Sequence, residues 1–204
     1  KQEISESFLG NLIEGVLEKS QSTLFVYKAI QPLSTVRRRL VIIPPHADRE
    51  LGFPLWLAKV WNLGRNSGAK LSFFANDRIL STLKRIHKEH PIDADFHVFS
   101  DWNDFLILSK EVGKDQGLII VMSREQKPSY HETMKRIPDY LNKCFSGTNF
   151  MLLYPVQSAA PEDYHNDMVN ASLLATVRGL GGFGETIMSS IKEEEQLDEV
   201  RKLQ

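Results

Sequence analysis

The 204 residues are 42% hydrophobic and 25% charged, with a net charge of −1. This is the balance of a globular chain long enough to bury a core without disulfide or metal staples. So small a net charge excludes a bulk positive field toward nucleic acid or anionic lipid. A single cysteine, Cys144, excludes an intrachain disulfide and favours a reducing compartment.

The longest apolar runs are about six residues, too short to cross a bilayer. The chain opens at Lys1 with no Met, no charged n-region and no apolar h-region, so we expect an excised piece of a larger protein that carries no secretory leader.

In chain order, Leu9, Leu12, Ile13, Val16 and Leu17 mark an amphipathic helix, and Thr23 to Tyr27 reads as a strand. The run Arg37-Arg38-Arg39 reads as a solvated flank of the next strand. Leu40-Val41-Ile42-Ile43 is an unbroken apolar run ended by Pro44-Pro45, which suits a strand buried on both faces. A helix follows from Pro54, punctuated by Gly64 and Gly68.

Lys70 to Ala75 is a strand, and Asn76 or Asp77 can cap a helix from Arg78 to His90 that Pro91 stops. Asp95 to Phe99 is a third strand of this series. Asp101 to Glu111 reads as a helix with Phe105, Leu106 and Leu108 inward. Gly117 to Met122 is the clearest strand, Ser129 to Lys143 a helix, and Asn149 to Pro155 the last strand. Cys144 follows an amphipathic stretch and reads as a small buried filler. Beyond it, we expect a helix from Glu162 to about Leu180, a break at Gly179, Gly181, Gly182 and Gly184, and a charged helix carrying Ile187, Ile191 and Leu197.

Strands alternating with helices over 37–156 predict βαβ units, right-handed crossovers and helices on both faces of a parallel sheet. Three regions result: a helix and strand in 1–36, the α/β unit in 37–156, and a helical extension in 157–204.

Two stretches narrow this pattern. Leu63-Gly64-Arg65-Asn66-Ser67-Gly68-Ala69-Lys70-Leu71 resembles the turn between first helix and second strand of universal stress proteins. Gly117-Leu118-Ile119-Ile120-Val121-Met122-Ser123-Arg124 is similar to their fourth strand and the turn after it. Leu9 to Ile13 and Leu24 to Tyr27 look like the last helix and last strand of another copy. Leu24 to Pro32 followed by Arg39 to Phe53 resembles the junction of tandem modules at the cytosolic end of bacterial cation/proton antiporters.

The resemblance implies a doubly wound three-layer α/β/α fold of the universal stress protein and adenine nucleotide alpha hydrolase type. Its sheet would be mostly parallel with five strands, next to the tail of a preceding repeat in 1–36 and the extension in 157–204. It also implies a non-catalytic regulatory or interaction domain of a sodium/proton antiporter, on the cytoplasmic side of the bacterial inner membrane. The partner would be the transmembrane portion of the same polypeptide, a homodimer is expected, and nucleic acid and direct membrane insertion are not. Pairing between copies or repeats is expected to join Leu24, Phe25, Val26 and Tyr27 to Phe150, Met151, Leu152 and Leu153. The alternative is a free-standing universal stress protein-like binder of a nucleotide or other small molecule.

ATP-binding members carry an acid after strand one and glycines spaced G-x2-G-x9-G-(S/T) after strand four, because glycine lets backbone N–H groups approach phosphate. This chain has Pro44-Pro45-His46 at the first place and Ser123-Arg124-Glu125-Gln126-Lys127-Pro128-Ser129-Tyr130 at the second, without glycine until Gly147. No ATP and no other cofactor is therefore expected. The residues left to meet a ligand are His46, Ser123, Arg124 and Lys127. His46, at the carboxyl end of its strand, is also the candidate pH sensor.

No catalytic or metal-binding set stands out. His87 and His90 share a helix end, where interaction with the terminal carbonyls is the simpler role. Gly179 to Gly184 follows a helix rather than a strand and so fails the dinucleotide context. No G-x-S-x-G elbow exists. Glu193-Glu194-Glu195 reads as a solvated face.

Overall fold

The computed structural model describes residues 15–16, 20, 22–156 and 175–203. Most of the helix expected near residues 7–17 and most of the one expected from Glu162 lie outside the described residues; within those two stretches, 15–16 and 175–178 are helical.

Six strands form one sheet: β1 (Leu24–Lys28), β2 (Arg38–Ile42), β3 (Lys70–Ala75), β4 (Ala94–Val98), β5 (Gln116–Val121) and β6 (Asn149–Tyr154). Their order is β1-β6-β5-β2-β3-β4. β1 is antiparallel to β6 and every other pair is parallel. The chain winds outward from β2 to β4, returns to the other side of β2, and winds outward again, so β2 and β5 flank the switch point where doubly wound folds open a crevice.

Helices cover both faces. Val41, Ile43, Trp56, Trp61, Phe73 and Leu83 pack with α1 (Phe53–Ser67), α2 (Asp77–Glu89) and α4 (Gly182–Lys202). Leu40, Ile42, Leu118 and Ile120 pack on the other face with α3 (Ile137–Cys144) and two 3₁₀ helices, Trp102–Lys110 and Glu132–Arg136. From Leu40 to Ile43 the chain sends alternate residues to the two cores, which is why that stretch is unbroken apolar.

Local chemistry fixes the boundaries. Gly68 takes φ of 64° at the end of α1, and the Asn76 side chain accepts from the Ile79 N–H at the start of α2. Gly184 sits where a Cβ would lie 2.2 Å from the Val177 carbonyl oxygen, so only glycine lets α4 fold back there. The glycine break is narrower than expected, because Gly182 and Gly184 already belong to α4. That helix docks on α2 and α1 through buried Ile187 and Ile191.

Several expectations change. The sheet has six strands rather than five. The pairing of Leu24, Phe25, Val26 and Tyr27 with 150–154 forms within the chain, in register Leu24 to Tyr154 through Lys28 to Phe150. That edge of β6 is therefore already covered.

The segment 102–110 is a 3₁₀ helix, whose period of three puts Trp102, Phe105 and Leu108 inward and leaves Leu106 and Ile107 exposed. Ser129 to Lys143 divides into the short 3₁₀ helix and α3, with Pro138 in α3's first turn.

Cys144 is exposed, because Leu141 and Phe145 take the buried side of that turn. Arg39 is 3% exposed and not solvated. β-strand alternation turns it under α1 with Val41 and sends Arg38 to the opposite face, while Arg37 precedes the strand and is exposed. Glu194, within the acidic run, is likewise buried, paired with Arg85 of α2.

Candidate functional site at the sheet switch point

β2 ends with the Ile43 N–H bonded to the Phe74 carbonyl, and Pro44-Pro45 then prevents the ladder from continuing. His46 takes a left-handed conformation, φ 65°, which turns the chain into a single 3₁₀ turn, Ala47–Arg49. The turn delivers Asp48 and Glu50 inward and leaves His46 and Arg49 outside. Gly52 then passes so close to Pro155 and Val156 that a Cβ would meet both at 3.0 Å. The start of α1 is thereby pressed onto the exit of β6.

Glu50 is the centre of this region. Its carboxylate is buried between the ends of β2 and β5. Oε1 accepts from Ser123 Oγ at 2.9 Å, from the Ser129 N–H at 3.3 Å and from Ser129 Oγ. Oε2 is buried without a hydrogen-bond partner among the described residues. The Ser123 N–H faces Met134 Sδ at 3.3 Å. The turn after β5 is thus folded onto a carboxylate supplied by the turn after β2.

Asp48, also buried, accepts from Arg78 Nε at 2.5 Å, and Arg78 also pairs with Asp198 of α4. The rim of the switch point is in this way tied to the C-terminal helix.

The four residues expected to meet a ligand do not converge. Ser123 points inward to Glu50. Arg124 donates from Nη2 to the Ser20 carbonyl at 2.7 Å, and burial holds its guanidinium below the ordinary arginine range despite the neighbouring Tyr154. Lys127 is exposed in the following turn, where its carbonyl accepts the Tyr130 N–H at 3.0 Å. His46 is exposed beyond the other strand.

Chemically, this arrangement neutralises hydroxyl and amide donors against an internal acid. Neither serine is bonded to a histidine among the described residues: Ser123 Oγ and Ser129 Oγ both donate to Glu50, and His131 Nδ1 accepts from the Thr133 N–H at 3.2 Å. His87 and His90 are separately engaged, Nε2 to the Ile92 carbonyl at 2.9 Å and Nε2 to Thr186 Oγ1 at 3.0 Å. Among the described residues, no group of three or more His, Cys, Asp or Glu side chains is placed to hold a metal ion, and no helix is long and apolar enough to cross a membrane.

Sequence reasoning missed Glu50. It sits seven residues beyond the apolar run of β2, and nothing local marks it as buried. The one usable signal was an acid just before the apolar helix that begins at Phe53.

Comparison of the chain with protein-family models, with curated proteins and with solved structures returns no match.

Proposed function

We propose that this chain is a non-catalytic regulatory or interaction domain of universal stress protein type, acting on a bacterial sodium/proton antiporter from the cytoplasmic side. The observation that carries the non-catalytic reading is the Glu50 carboxylate at the switch point. Doubly wound folds bind ligands there, and the donors suited to an anion, Ser123 Oγ and the N–H and Oγ of Ser129, are spent on the chain's own acid. A phosphate approaching them would meet a negative charge and would have to displace it.

On this reading the domain works through its surfaces. The attachment to an antiporter, to the transmembrane portion of the same polypeptide, rests on the resemblance of Leu24 to Pro32 and Arg39 to Phe53 to the junction of tandem modules. A homodimer of the parent protein belongs to the same reading. Since β1 covers β6 within the chain, the contact between copies would use another surface.

Two measurements test the proposal. Calorimetric titration with ATP is expected to give no saturable heat; saturable binding would favour a free-standing nucleotide binder. In everted vesicles holding the parent antiporter, deletion of this domain is expected to shift the pH or cation dependence of sodium/proton exchange and to leave exchange itself intact. An unchanged profile would overturn the regulatory reading.

A further inference from the structure

The sheet ends at β4, which among the described residues pairs only with β3. The Leu71 N–H donates to the Asp93 carbonyl at 2.9 Å and the Phe99 N–H to the Ala75 carbonyl at 2.8 Å. Bonded residues alternate along a parallel ladder, so Asp95 and His97 also turn their backbone groups to β3. The N–H and C=O groups of Ala94, Phe96 and Val98 therefore point away from the sheet. Such a row is a template for another strand unless Pro, Lys, a bulge or a covering segment blunts it. β4 contains neither Pro nor Lys, and none of its residues has a left-handed backbone. Its last residue, Val98, is 63% exposed.

The two faces of the strand differ. Phe96 stacks on Phe73, 5.7 Å between ring centres, and with Ala94 borders the core on the side of α2. On the other face His97 stacks on Phe74 at 4.7 Å, and its Nε2 lies 3.0 Å from Asp95 Oδ1. The Asp95 and His97 side chains are still 30% and 43% exposed.

The outward backbone groups restrict what can pair. An antiparallel partner must set its own outward residues opposite Ala94, Phe96 and Val98. A second β4 does so when a two-fold axis passes through Phe96. Ala94 then faces Val98 of the other copy, Phe96 faces Phe96, and Asp95 faces His97. The next registers on either side place Asp95 against Asp95 or His97 against His97 and shorten the ladder. Opposed like charges destabilise such a pair, and opposed complementary groups stabilise it. Only the register about Phe96 uses every outward group and sets acid against imidazole. Asp95 and His97 are also its non-hydrogen-bonded pair, where side chains approach most closely.

We propose that a second copy of this chain adds its β4 antiparallel to this one, about a two-fold axis at Phe96, joining two sheets into one. Asp95 and His97 of each copy set the register. The contact deepens the proposed function, for it is the surface that the homodimer named there requires, and it leaves β1 on β6 undisturbed.

The test uses the full chain. Sedimentation is expected to pass from monomer to dimer as concentration rises. Val98→Pro removes an N–H that points away from β3, so it spares the ladder within the chain and weakens association at least about ten-fold. His97→Asp opposes carboxylates at two symmetric places and weakens it about ten-fold. Register is read with Asp95→Cys/His97→Cys in a Cys144→Ser background. Oxidation should link two copies, because directly opposed residues lie within bridging distance and residues two apart on one strand do not. Asp95→Cys alone faces His97 and should not link. A monomer at every concentration up to about 1 mM overturns the proposal. So does a dimer that Val98→Pro and His97→Asp leave unchanged, or one that Asp95→Cys alone links as fully as the double variant. Should either of the first two variants fail to fold, the cysteine pair decides: linkage supports the register and its absence overturns it. None of this involves cation exchange. A monomeric chain whose deletion still shifts the exchange profile removes this contact and keeps the regulatory reading; a dimeric chain whose deletion shifts nothing does the reverse.

Discussion

At the carboxyl end of β2 and β5 the chain buries an anion, Glu50, and surrounds one of its oxygens with the hydroxyls of Ser123 and Ser129 and a backbone N–H. At the amino end it buries a cation, Arg39, and gives it one hydroxyl and one distant carbonyl. Neither charge has an ion-pair partner among the described residues. At the carboxyl end, donors from the segment after β5 converge on Oε1, while Oε2 stays buried without a hydrogen-bond partner among the described residues. At the amino end, Ser67 Oγ and the Leu33 carbonyl accept from the guanidinium. In a doubly wound fold the carboxyl end is where a ligand is sought first. Here the internal acid occupies that place, and the buried cation lies at the other edge.

Substitutions can break this contrast or sharpen it. Glu50→Ala strands three buried donors and is expected to cost about 3 kcal/mol. Glu50→Gln keeps a carbonyl acceptor and should cost about 1 kcal/mol. Urea unfolding with an unchanged m-value reads both. A Glu50→Ala cost equal to that of Glu50→Gln would mean that water, and not the carboxylate, satisfies the serines.

Arg39→Met should behave oppositely. Replacing a buried charge that has no ion-pair partner among the described residues by an apolar chain of similar length is expected to change stability by less than about 1 kcal/mol. A loss as large as that of Glu50→Ala would show that its hydrogen bonds to Ser67 and Leu33 hold the end of α1 in place.

The smallest effect belongs to the half-exposed charges around Asp95, which pairs with Arg38 and Lys70. Burial alone pushes the Asp95 carboxyl up, but hydrogen bonds from Ser72, Lys70 and His97 and the charge of Lys70 outweigh it and hold the group below the usual carboxylate range. Its stabilisation is therefore present above the unfolded value of about 3.9 and is lost as pH falls through the lower folded value. The thermal midpoint of Asp95→Asn should lie slightly below wild type at pH 6, and the two should converge near pH 2. A gap that persists at pH 2 would assign the loss to packing.

Much of the fold was legible from local pattern. The strands at Lys70 to Ala75 and Asn149 to Tyr154 appear where their apolar runs placed them, and α2 starts at the Asn76 cap. Failures came where two periods compete. Trp102, Phe105 and Leu108 fit a helix of either kind, and only packing against the sheet chose the three-residue turn. Cys144 and Phe145 adjoin, and which of them faces the core depends on how α3 is rotated.

Of the site, Ser123 was legible because it follows a strand of a doubly wound pattern. Its partner was not, since Glu50 lies 73 residues away and in sequence resembles any surface acid. Arg39 was misread for a related reason: a basic triplet beside a strand gives no sign of which member the pleat turns inward.

The sequence by itself determined the alternation of strands and helices, the caps and breaks between them, and the absence of phosphate-loop glycines after β5, because each depends on residues within a turn or two of one another. The tertiary structure decided the place of β1 as the sixth strand, the docking of α4 on α2, and the burial of Glu50 and Arg39. Those outcomes depend on which distant groups share a low-dielectric space, and a charge is costly or harmless there according to neighbours that only the folded chain brings together.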